Sequence, residues 1–184
     1  FSGGQDSTTF LYLAKRDFKE IVSLNINYGQ LHLIEVESAE KIADIAGVPK
    51  ENRFSITTDV LSQIGDSAMF TNDDIAAQHR SSKELPASFV PGRNIFFLTI
   101  AAALAYKLGI NDISTGVCQT DYSGYPDCRD ETIKALNNAI NLGMDSKIKI
   151  HTPMMFLTKE EEVKLAASLD GCMDALAFSH TCYN

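Results

Sequence analysis

The first nine residues, Phe1-Ser2-Gly3-Gly4-Gln5-Asp6-Ser7-Thr8-Thr9, combine adjacent glycines with a run of short polar side chains. Such glycines let the backbone turn tightly and approach a ligand with no Cβ in the way. Asp6, Ser7 and Thr8 then open a helix expected over Thr9–Arg16, with Phe10, Leu11 and Leu13 available to face a core. Successive amide N–H groups in a turn of this kind, aimed by the positive end of a helix dipole, form an anion site suited to phosphate. The spacing is not that of a loop ending in a Lys-Ser/Thr pair, and no lysine precedes Lys15. Without that lysine, the turn suits a pyrophosphate leaving group better than activation of a terminal phosphate. An ordinary helix-capping surface turn would draw on the same residue types.

Two further segments carry groups of the right chemistry. Pro91-Gly92 reads as a rigid turn that sets Arg93 and Asn94 at a helix start. A basic residue is disfavoured there unless an anion lies nearby, which makes Arg93 a candidate phosphate ligand; a surface arginine paired with a carboxylate is the alternative. The loop from Cys118 to Arg129 is the densest polar and aromatic stretch. Its tyrosines could stack on a flat heterocycle, and a carboxylate could accept two N–H bonds from a guanine-type edge. A plain turn with Asp127 starting the next helix is equally compatible, and spacing alone names no substrate.

These segments need a scaffold, and the pattern supplies one. Glu20–Asn27 is a β-rich run without breakers, as in a buried parallel strand, and it ends in the loop Tyr28-Gly29-Gln30. Leu33–Ala46 has apolar residues near helical spacing and stops at Gly47, and Arg53–Val60 reads as another strand. Alternation of this kind predicts an α/β fold with a doubly wound parallel sheet, Rossmann-like, with ligands at the strands' C-terminal edge. Residues 62–91 are polar and irregular, which points to a functional excursion or a plain surface one. Asn94–Leu108 is apolar enough to predict burial on most sides. A strand over Asp112–Gly116, a helix over Asp130–Leu142 and a strand over Lys147–His151 follow. Thr158–Leu169 carries a capping box from Thr158 and Glu161, and Met173–Phe178 reads as a short strand or turn.

Composition sets outer limits. The 184 residues, 45% apolar and 22% charged, fit one well-buried domain. No apolar run approaches the ~18 residues of a membrane span, so no membrane partner and a cytoplasmic setting are expected. The net charge of −8 argues against a large nucleic-acid footprint. Cys118, Cys128, Cys172 and Cys182 show no C-x-x-C spacing. A phosphate turn is normally fed by a buried strand, of which only Phe1 is present, and no helix closes the chain after Asn184. One domain over residues 1–184, trimmed at both ends, is the expectation.

The opening S-G-G-Q-D-S-T resembles the signature of the PP-loop ATP pyrophosphatases. With F-V-P-G-R-N, G-V-C-Q-T-D-Y-S-G-Y-P-D-C-R-D and S-H-T-C-Y-N in this order, the chain resembles the 7-cyano-7-deazaguanine synthase family of the queuosine pathway along nearly all its length. That resemblance implies an ATP-dependent ligase acting on 7-carboxy-7-deazaguanine and ammonia. The substrate carboxylate attacks the α-phosphorus, ammonia gives an amide, and a second adenylation drives dehydration to the nitrile. It implies nucleotide contacts from Ser2, Gly3, Gly4, Gln5, Asp6, Ser7, Thr8, Thr9, Arg93 and Asn94. Among these, Asp6, Ser7 and Arg93 would serve the chemistry, together with Lys159, which could neutralise a phosphate or stand solvated in an acidic helix start. Asp121, Tyr122, Tyr125, Asp127 and Arg129 would surround the deazaguanine.

The resemblance further implies Mg²⁺, a homodimer and a structural zinc held by four cysteines. Of those four only Cys182 falls within this chain, while Cys118, Cys128 and Cys172 match no ligand position. Two rivals remain from the residues alone. A tRNA-modifying PP-loop enzyme would need a basic extension, and a non-catalytic nucleotide sensor would leave the tyrosine-rich loop without a role.

Overall fold

A computed structural model describes residues 1–29, 34–64, 67–71, 77–79, 82–120 and 124–180. The expectations for Gln30, Asp121, Tyr122 and Cys182 therefore lie outside the described residues.

The chain opens into helix α1 (Gln5–Asp17), which starts four residues earlier than the sequence pattern implied, because Gly4 itself is the N-cap. Strand β1 (Ser23–Asn27), helix α2 (Ile34–Ile45) and strand β2 (Arg53–Thr57) follow. β1 and β2 pair in parallel, Ser23 opposite Arg53 through Asn27 opposite Thr57, with α2 as the crossover. Phe1 runs beside β1: its nitrogen donates to the Leu24 carbonyl at 2.5 Å and Asn25 Nδ2 donates to the Phe1 carbonyl at 2.9 Å.

The polar excursion holds helix α3 (Val60–Ile64) and an irregular antiparallel pair, β3 (Gln78–His79) and β4 (Ser82–Pro86). It is tied back at its base, where Ser67 Oγ and Ala68 N–H both donate to the Ala87 carbonyl, each at 2.9 Å.

Helix α4 (Arg93–Leu108) ends at Gly109 in the left-handed conformation that glycine adopts without strain. Strand β5 (Asp112–Ser114), helix α5 (Asp130–Met144) and strand β6 (Lys149–His151) form the second parallel unit. The expectation that α4 is buried on most sides is corrected. Leu98, Ala102 and Ala105 face inward, whereas Ile95 and Tyr106 are 40% and 62% exposed. The helix is apolar all round, but β5, β6 and α5 cover only one face of it.

α5 also does something the sequence did not announce. Asn137 and Asn141 reach the edge of β6, each donating to the Ile148 carbonyl at 2.7 Å and accepting from the Ile150 and Ile148 N–H groups. Two side-chain amides thus satisfy a strand edge as a neighbouring strand would.

Helix α6 (Lys159–Ser168) has the capping box read from the sequence, with Thr158 and Glu161 bonded reciprocally. Residues 172–176 form helix α7 (Cys172–Leu176), correcting the strand or turn expected from Met173. Small Cys172 and Ala175 let this turn pack tightly on Leu11, Tyr12 and Leu13 of α1, a tertiary contact that outweighs local β tendency. The result is mixed α/β with two parallel pairs and three apolar clusters, built on α1–α2–α7, on α4–α5–β5–β6, and around Tyr28.

Candidate active site

Gly3 has φ +83°, and a Cβ there would lie 2.6 Å from Ala39 N and 2.9 Å from its Cα. The turn can press against α2 only because no side chain intervenes. Its hydroxyls hold it closed. Gly3 N–H donates to Ser7 Oγ at 3.1 Å, Ser7 Oγ donates to the Gly4 carbonyl at 3.1 Å, and Ser2 Oγ is 3.1 Å from Ser7 Oγ. Thr8 N–H, 2.9 Å from the Gly4 carbonyl, makes the first helical bond. The N–H groups of Gln5, Asp6 and Ser7 therefore have no carbonyl one turn behind them, the arrangement that attracts anions.

Three remote segments converge on this turn. Gly116, just after β5, lies so close to α1 that a Cβ there would meet the Asp6 carbonyl at 3.5 Å. His180 N–H donates to the Gly3 carbonyl at 3.3 Å. From α6, Lys159 Nζ contacts Asp6 Oδ2 at 2.8 Å and Glu162 Oε2 at 3.1 Å. Glu162 is 1% exposed. Burial lifts its carboxyl above the ordinary range, Asp6 adds to that, and Lys159 opposes it.

A second cluster surrounds Arg93, whose guanidinium lies between the rings of Tyr28 and Tyr125, 5.9 and 5.6 Å from their centroids. Arg93 Nη1 donates to the Tyr28 hydroxyl at 3.3 Å. Burial raises the Tyr28 hydroxyl above its usual pKa, with Arg93 pulling the other way. The excursion supplies the back wall, where Ser88 Oγ meets the Tyr125 hydroxyl at 2.8 Å and Phe89 leans on the Tyr125 ring. Glu35 of α2 feels charge from both clusters: burial raises its pKa, while the Arg93 and His180 charges lower it.

The expected site residues thus fall into distinct groups. Ser2, Gly3, Gly4, Gln5, Asp6 and Ser7 form the turn, and of these Asp6 meets Lys159. Thr8 and Thr9 are 0% and 1% exposed, and the Thr9 hydroxyl reaches the Cys172 thiol instead. Asp127 is buried, and its Oδ2 accepts the Asn94 N–H at 2.8 Å, capping α4 from outside its own strand of sequence. The side chain of Asn94 donates to Cys128 Sγ at 3.3 Å. Arg129 is exposed at the N-cap of α5. Glu35, Ser88, Gly116 and Glu162 were not singled out from the sequence, and only Glu162 left a trace there, three residues after Lys159 on one helix face.

The chain matches along residues 1–184 the family model described as queuosine biosynthesis protein QueC. It belongs to the QueC family. Among its relatives, the 7-cyano-7-deazaguanine synthase of Chromobacterium violaceum is 50% identical over 187 residues, covering all of this chain and 78% of that protein. The proteins of the same name from Laribacter hongkongensis and Lysinibacillus sphaericus are 50% and 46% identical, covering 99% and 100% of this chain and 78% and 82% of those proteins. The QueC membership agrees with the PP-loop reading of the opening turn and with the parallel α/β units observed.

Among the described residues no group of three or more His, Cys, Asp or Glu side chains is placed to hold a metal ion. Cys118 bonds the Leu157 carbonyl, Cys128 sits against Asn94, and Cys172 is buried on α1, so these three do not converge. No helix among the described residues is long and apolar enough to cross a membrane.

Proposed function

We propose that this chain makes 7-cyano-7-deazaguanine from 7-carboxy-7-deazaguanine, ammonia and ATP, as the names of its relatives indicate. The observation that carries the reading at this site is the Lys159 ammonium set against Asp6 at a glycine turn, where the first helical bond is made only by the Thr8 N–H. There the β- and γ-phosphates of ATP would lie, leaving the α-phosphorus open to the substrate carboxylate. Attack forms a carboxyl–phosphate anhydride and releases pyrophosphate, whose growing charge the N–H groups and Lys159 would stabilise. Ammonia then displaces AMP to give the amide. A second ATP activates the amide oxygen, and its loss with AMP leaves the nitrile.

No side chain need act as nucleophile, since the substrate supplies it. Mg²⁺ would arrive on the triphosphate as part of the substrate. Arg93, held between two tyrosines on a capped helix, would face the nucleotide, and Tyr125 would border the deazaguanine with Asp121, Tyr122 and Arg129. Asp127 would serve by fixing the start of α4. Zinc at Cys182 with further cysteines, and a cytoplasmic setting, belong to the same reading. A homodimer would bury the exposed strip of Tyr106 and Leu142 beside Met144, and light scattering would show the doubled mass.

Incubation with Mg·ATP, ammonium and 7-carboxy-7-deazaguanine tests the reading. Nitrile formation with release of AMP and pyrophosphate is expected. Absence of both the nitrile and pyrophosphate would overturn it.

A further inference from the structure

Lysine at the first position of a helix faces the positive end of the dipole and is disfavoured there. Lys159 nonetheless occupies that position in α6, and three glutamates follow it. Of these, Glu162 alone is buried, and neither of its carboxylate oxygens meets any donor in hydrogen-bond geometry. A glutamine or an aliphatic residue would fill this place without the desolvation of an anion. The compensating charge is the Lys159 ammonium, 3.1 Å from Oε2 in an ion-pair contact without hydrogen-bond alignment.

Lys159 also contacts Asp6, which is partly exposed and lies in the first turn of α1. The two carboxylates therefore differ in kind. Asp6 can yield the ammonium to an incoming phosphate and turn to solvent, whereas Glu162 has no solvent to turn to.

We infer that Glu162 is a positioning residue that keeps the Lys159 ammonium over the opening turn after a phosphate has displaced Asp6. The inference rests on the reading of that turn as the pyrophosphate site. The charged groups facing Glu162 are Lys159 on its own helix and Asp6 on α1. Burial raises the Glu162 carboxyl, so protonation releases the ammonium at a pH above the usual carboxylate range.

The test is pyrophosphate release at saturating ATP and acid substrate across pH, in wild type, Glu162→Gln, Lys159→Met and the double variant. Glu162→Gln is expected to lower kcat about tenfold at neutral pH with the KM for the acid substrate unchanged, and to lose the acid limb of the wild-type profile. In the Lys159→Met background the same change is expected to add no further loss, because the glutamate acts through the lysine. Multiplicative losses in the double variant, or a wild-type rate and pH profile in Glu162→Gln, would overturn the inference. If Lys159→Met does not fold, the pH profile of Glu162→Gln decides alone. Wild-type protein that releases no pyrophosphate would instead sink the functional reading itself, so the two failures are distinct.

Discussion

Lys159 Nζ lies 2.8 Å from Asp6 Oδ2, although 153 residues separate them in the chain. The contact closes the α/β layers into one site, bringing the first turn of α1 and the first turn of α6 together. A cation from one helix N-terminus is thereby placed at the anion-binding end of another.

Lys159→Ala is expected to lower pyrophosphate release by roughly 100-fold, the scale of removing one group that stabilises developing charge. Asp6→Ala is expected to lower it as well, because Asp6 holds the Lys159 ammonium at the turn before phosphate arrives. Asp6 is partly exposed, so the thermal midpoint of Asp6→Ala should stay close to wild type, whereas Lys159→Ala leaves the buried Glu162 without its counter-charge and should lower the midpoint. Ser7→Ala is expected to cut release as well, since its hydroxyl shapes the turn from both sides. Wild-type rates in all three variants would remove the turn from the site.

The two glycines of the turn should behave differently. Gly3→Ala forces a left-handed backbone onto alanine and drives its Cβ into the Ala39 backbone at 2.6 Å, a loss of roughly 3 kcal/mol in urea unfolding. Gly4 has an ordinary φ of −75°, and its nearest neighbours would lie 3.5 Å from a new Cβ. Gly4→Ala should therefore change stability by no more than about 0.5 kcal/mol.

Asp127→Ala leaves the half-buried Asn94 N–H without its carboxylate acceptor. A stability loss of about 2 kcal/mol is expected, together with weaker ATP binding as Arg93 shifts with the start of α4. Asp127→Asn keeps an acceptor oxygen and should lose about half as much. Equal urea midpoints for all three proteins would contradict this assignment.

pH dependence follows from Glu162. Burial raises its folded-state pKa above that of an ordinary glutamate, so the native state binds more protons than the unfolded state between the two. Stability attributable to this group is therefore full below the unfolded value and falls as pH rises to the folded one. Glu162→Gln removes that dependence. Relative to wild type its urea midpoint should gain at neutral pH and lose the advantage near pH 4, and a constant difference across that range would be the contrary result.

The opening turn, the alternating parallel units and the capping box of α6 could be read from residue types because each is specified locally, by glycine, periodicity and a Thr-x-x-Glu spacing. The site's outer parts could not. Glu162 looks like one acid among several on a charged helix, and only the packing of α6 against α1 buries it. Asp127 sits before a helix and invites a local role, yet its bond goes to Asn94, 33 residues away. Asn137 and Asn141 look like solvent-facing helix residues, whereas the β6 edge that pairs with no strand among the described residues turns them inward. In each case a partner remote in sequence decides the role of an ordinary polar side chain.

Oxygen tracing tests the central claim most directly. With both carboxylate oxygens of 7-carboxy-7-deazaguanine carrying ¹⁸O, mass spectrometry of the products of one reaction with ATP and ammonium reads where the label goes. Attack on the α-phosphorus sends one labelled oxygen into the phosphate of the first AMP and the other into the second, and leaves pyrophosphate unlabelled. Label in pyrophosphate or orthophosphate, or ADP in place of AMP, would contradict the account.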